Sequence, residues 1–119
     1  MEIKTFNARG VVVNFVCESR NTRNGFAHDC TVFIYGHEFG RASCYYLNRT
    51  WECYRYQTVM LKTVRGLIDE YTAYIKNEFM RENNYKRMTP DRQKRFANIC
   101  LSNDRLILYN ELIEQIKTR

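Results

Sequence analysis

The sequence predicts an α+β fold: a three-stranded antiparallel sheet followed by one long helix and two shorter ones. Three observations predict it. Residues 11–18, 28–35 and 41–47 are short runs rich in β-branched and aromatic side chains, separated by polar or glycine-bearing segments. From residue 56 onward the apolar positions recur at three-and-four spacing. The 119 residues are 45% apolar, with one proline and five glycines, which is enough for one core and leaves little room for a linker. The expectation is one domain over 1–119, with its sheet in 1–50 and its helices in 54–119.

Residues 2–7 are a candidate for an additional short edge strand. The run VVVNFVCE, 11–18, is the first strand proper. SRNTRNGF, 19–26, reads as a polar turn closing on Asn24-Gly25. HDCTVFIY, 28–35, is the second strand, GHEFG the loop with glycine at each end, and RASCYYL, 41–47, the third strand. A hairpin closed that way sets Tyr35 opposite Arg41, Phe33 opposite Ser43 and Thr31 opposite Tyr45. One face then gathers His28, Cys30, Val32, Ile34, Ala42, Cys44 and Tyr46 for packing on a helix. The other, with Phe33, Tyr35, Arg41 and Tyr45, is either a second buried face or an exposed aromatic platform.

Tyr56, Met60, Val64, Leu67, Ile68, Tyr71, Ile75 and Phe79 form the apolar stripe of the long helix, which should end near residue 82. Two starts fit it. Thr50 caps it with Glu52 in the first turn, or 50–56 stay extended and Gln57-Thr58 begins it. Thr89-Pro90-Asp91 is a helix start, with Thr as cap, Pro in the first turn and Asp against the dipole. That helix should reach about residue 101 with Phe96 and Ile99 inward. Ser102-Asn103-Asp104 restarts a final helix with Leu106, Tyr109, Leu112, Ile113 and Ile116 inward.

The net charge is +6, with thirteen arginines against six lysines. Arginine's planar fork suits phosphates, carboxylates and ring faces. Residues 1–55 carry seven basic and five acidic side chains; residues 56–119 carry twelve and eight. The stretch RENNYKRMTPDRQKR, 81–95, alone holds six basic and two acidic, so it accounts for the whole excess of the helical half. Arg87, Arg92, Lys94 and Arg95 are its densest group. Tyr85 lies beside them, and an aromatic among cations suits a nucleic-acid groove. The plainer reading is a solvated basic connector.

The stretch NRTWECYRYQT, 48–58, holds the only tryptophan at the sheet–helix junction. Trp51 is read as a core plug locking the crossing angle. The functional alternative has Trp51 or Tyr54 stacking on a base or a partner, flanked by Arg49 and Arg55.

Five cysteines, an odd number with no secretory signal before them, point to a reducing, cytoplasmic setting with the thiols as small core groups. No run approaches membrane-spanning length. There is no C-x-x-C, H-x-x-x-H, G-x-x-x-x-G-K, G-x-G-x-x-G or G-x-S-x-G. His28, Cys30 and Cys44, with His37 in the loop, are the one conceivable metal-ligand set. The expectation is a protein that is not an enzyme and needs no cofactor or metal.

The run YYLNRTWECYRYQTVM, 45–60, resembles a stretch of small phage and mobile-element proteins of Firmicutes that place N-R-T-W-E-x-Y-x-Y-Q-[ST]-V between a hairpin and a helix. The likeness covers about an eighth of the chain and brings no functional residues. It implies a context: a short accessory protein acting on host machinery. A second likeness is topological, since three strands then a helix resembles the latter part of a double-stranded-RNA-binding domain. That family's first helix has no counterpart here, and YQTVMLK offers only Lys62 where it has a lysine-rich helix start.

Three functions follow as expectations. The first is a binding protein that inhibits or modulates a host nucleoprotein complex, a CRISPR effector or related defence machinery, as an anti-CRISPR does. The second is a direct DNA- or RNA-binding regulatory module using Arg87, Arg92, Lys94 and Arg95. The third is a small metal-dependent nuclease using His28 and His37. A homodimer is a further expectation.

Overall fold

The computed structural model describes residues 1–47 and 55–118. The sheet has four strands where three were expected: β1 (Glu2–Ala8), β2 (Val11–Thr22), β3 (Gly25–Ile34) and β4 (His37–Tyr46), antiparallel and in chain order. The segment 2–7 is thus a full edge strand. It pairs with β2 from Glu2↔Cys17 to Ala8↔Val11 and places Phe6 edge-to-face on Phe15, 5.5 Å between centroids. Three helices follow: α1 (Gln57–Glu82), α2 (Pro90–Ser102) and α3 (Asp104–Thr118). Of the two starts for the long helix, the one at Gln57 is observed.

Two turns differ from the sequence reading. β2 continues through Thr22, because its polar end is held by side chains across the sheet: Arg20 Nε lies 2.7 Å from Asp29 Oδ2 and Arg20 donates to the Tyr45 hydroxyl at 3.2 Å. The expected GHEFG loop is mostly strand. The chain reverses at Tyr35-Gly36, both at positive φ (51° and 80°), the backbone of a two-residue hairpin turn. The register is accordingly Thr31↔Arg41, Asp29↔Ser43 and Ala27↔Tyr45, with a bulge where Val32↔Gly40 gives way to Phe33↔Glu38. The shift is an even number of residues, so the faces keep their members.

The helices cover one face only. Phe6, Val13, Phe15, Cys17, Cys30 and Val32 are buried against Val59, Met60, Val64 and Leu67 of α1 and Leu106, Tyr109, Leu112 and Ile116 of α3. Gly40 permits this approach: a Cβ there would lie 2.8 Å from a Leu67 methyl. Gln57 donates to the Ile116 carbonyl at 2.9 Å and Gln115 to the Asn7 carbonyl at 2.9 Å, tying both ends of the helical layer. The outer face is not a second core. Tyr45 is 68% exposed, and Asp29, Arg20 and Ser43 form a polar network there.

α1 is about 39 Å long at 1.5 Å per residue. Beyond Ile75 it leaves the main core, and Phe79 packs instead on Phe96 of α2 and on Tyr85. The end of α1, the connector and the first turns of α2 thus form an arm with its own small aromatic cluster, while Cys100 at the end of α2 packs back on the main core. The radius of gyration, 17.0 Å, exceeds the roughly 13.5 Å of a compact chain of this length. No helix among the described residues is long and apolar enough to cross a membrane.

Candidate polyanion-binding site

The arm is built from local rules. Asn84, at φ 55°, turns the chain at the end of α1, and Tyr85 N–H bonds back to the Met80 carbonyl at 2.9 Å. Thr89 caps α2 by accepting from Arg92 N–H at 3.4 Å, with Pro90 at the first helical position. Phe96 is buried, while Ile99, expected inward, is 40% exposed because α2 packs on α1 by one narrow stripe.

These constraints aim the cations. The Arg92 guanidinium lies 3.8 Å over the Tyr85 ring and donates to the Arg87 carbonyl at 2.9 Å. Arg95 donates to the Tyr85 hydroxyl at 2.7 Å, its guanidinium 5.4 Å from the same ring. Tyr85 meets Phe79 edge-on at 5.6 Å. Tyr85 is therefore a post that holds two arginines by cation–π contact and a hydrogen bond; one ring face is already covered by Arg92. Lys86, Arg87, Arg92, Lys94 and Arg95 form no ion pair with any described acidic residue, whereas Arg81 is paired with Glu78, which raises its pKa.

Arg92 and Arg95 meet at Tyr85, Arg87 joins them through its backbone carbonyl, and Lys94 is exposed on the same helix. Arg55 is not part of the group: it precedes α1, the full length of that helix from Tyr85. Arg49, Trp51 and Tyr54, the residues of the plug and stacking readings, lie outside the described residues, as does Cys53.

The histidines do not share a site. His28 is fully buried among the rings of Tyr56, Tyr46 and Phe26, at 4.7, 5.2 and 5.6 Å, and neither of its nitrogens has a hydrogen-bond partner among the described residues. His37 is exposed beside the Tyr35-Gly36 turn, opposite Ile34, six residues along β3 from His28. Among the described residues no three His, Cys, Asp or Glu side chains are grouped to hold a metal ion.

One site went unread in the sequence. Arg105 of α3 lies 4.7 Å over the Tyr71 ring and 5.1 Å over that of Phe39, lining an open groove of about 590 Å³ with Glu38, Glu70 and Tyr74. Phe39 reaches it because the β4 bulge sits there, and no local spacing encodes that meeting.

No protein-family model matches this chain, and neither a curated protein nor a solved structure matches it.

Proposed function

We propose that the protein is a non-enzymatic binding protein whose helical arm engages nucleic acid through Arg87, Arg92, Lys94 and Arg95. The observation that carries this reading is the Tyr85 post. Two arginines are fixed side by side on one ring, without a carboxylate partner among the described residues, at the end of a protruding helix pair. Such cations have lost part of their rotamer freedom before binding, so less is lost when they meet phosphates. In the setting that the 45–60 likeness implies, the nucleic acid is one handled by a host nucleoprotein complex, and occupying it would inhibit that complex.

Fluorescence anisotropy with labelled DNA and RNA, single- and double-stranded, tests the reading. Wild-type protein binds at low salt, and Arg92→Gln with Arg95→Gln weakens binding by about a hundredfold, taking about 1.5 kcal/mol per charged contact. Equal affinity of the double variant would remove the arm from the function. Metal-dependent cleavage of the probe that survives in the arm variant would favour the nuclease reading.

A further inference from the structure

We infer that the open edge of β4 is a docking site for an extended acidic peptide segment of a protein partner, added as a fifth strand alongside α1. This surface is separate from the arm. β4 is the last strand in the sheet order, and no described strand pairs with its outer side. A cleft of about 760 Å³ runs along it. Side chains from both faces of β4 line the cleft, Ala42 and Cys44 from the inner face and Arg41 and Tyr45 from the outer, which places it at the strand's edge.

The opposite wall is α1, and it leaves room. Cys30 and Val32 on β3 are buried under the helices, while Ala42 and Cys44 on β4 are only half-buried. Gly66 of α1 lines the cleft, and a Cβ built there meets nothing within 4 Å. A strand edge facing a helix across a gap is the geometry of strand addition, in which main-chain bonds give affinity and alternate side chains read the walls.

Charge selects the occupant. Lys62 and Arg65 line the cleft, both exposed and neither ion-paired with a described acidic residue; Asp69 is the one acid among the described lining residues, and Arg41 is paired with Glu38 at 2.7 Å. The Lys62 ammonium donates to the Ser43 carbonyl at 2.6 Å, so a main-chain acceptor of β4 is held by a mobile side chain. A lysine there blunts the edge against indiscriminate pairing. An acidic strand reverses that: its carboxylate takes the ammonium and its backbone takes the edge. A second copy pairing by the same edge would set Lys62 and Arg65 against their own counterparts, so the partner is an acidic segment and not another copy.

The test is anisotropy with a labelled peptide of alternating Glu and Val, matched to the ten residues of β4. The controls are the Lys/Val peptide and a Glu/Pro peptide of Glu-Pro-Pro repeats, which sets proline at both odd and even positions and so cannot donate its share of ladder bonds in either register. The Glu/Val peptide should bind, Lys62→Glu with Arg65→Glu should weaken it by at least about tenfold, and Arg92→Gln with Arg95→Gln should leave it unchanged. Thermal melts establish that each variant is folded. Equal binding of the Glu/Val and Lys/Val peptides, or no binding up to about 1 mM, overturns the site. Equal binding of the Glu/Pro peptide overturns strand addition. A dimer abolished by Lys62→Glu makes a second copy the occupant and overturns the peptide. None of these outcomes bears on nucleic-acid binding by the arm.

Discussion

Tyr85 shows how one residue sets a site's character. Its hydroxyl holds Arg95 and its ring holds Arg92, so it organises cations where the sequence invited a base-stacking role. Tyr85→Phe keeps the ring and loses one hydrogen bond to a charged group, so nucleic-acid affinity should fall about tenfold while the melting temperature holds. His28 makes the opposite case. Two buried nitrogens without a partner among the described residues cost stability, so His28→Phe should raise Tm, by about 4 °C for each 1 kcal/mol recovered. A lowered Tm would mean that the imidazole is bonded in solution. Asp29 is the pH-sensitive residue of the outer face. The Ser43 hydroxyl, then Arg20, hold its carboxyl below the usual range. A depressed folded-state pKa gives stability that is present above about pH 4 and lost as pH falls below it. Asp29→Asn should therefore flatten the acid limb of the Tm-versus-pH curve. Its cost at neutral pH should stay under about 1 kcal/mol, because the pair is largely solvated.

At the scale of elements, the hairpin and the arm carry the predictions. Gly36 sits at φ 80°, where an alanine is strained, so Gly36→Ala should destabilise by about 1 kcal/mol in a denaturant melt. Thr89→Ala removes the α2 cap and should cost about 1 kcal/mol, read as faster amide exchange confined to the first turn of α2. The helices were legible in the sequence because their signals are local: the Thr89-Pro90 start and the apolar stripe from Met60 to Phe79 need no partner to be read. The turn at Tyr35-Gly36 was not, since tyrosine is not a residue that announces positive φ, and the flanking glycines of GHEFG were the louder signal. β2 was read four residues short because the Arg20–Asp29 contact that sustains its polar end spans two strands. Of the site, the cation cluster was legible as composition; its attachment to Tyr85 and the gap beside β4 arise only from packing.

The whole molecule is 49 × 34 × 24 Å, a sheet-and-helix body with a basic arm projecting from it. The body holds the main core, and the arm holds a cluster of cations that have no described acidic partner. Substitutions of Arg87 and Arg95, which are exposed, should leave global unfolding nearly unchanged while altering affinity. If four arm cations meet phosphates, the salt dependence of duplex binding counts them. With Arg87, Arg92, Lys94 and Arg95 each on a phosphate, log K should fall against log salt with a slope of about −3.6, and Arg92→Gln with Arg95→Gln should bring it to about −1.8. A slope unchanged by that pair of substitutions would contradict the account, because the phosphates would then be met elsewhere.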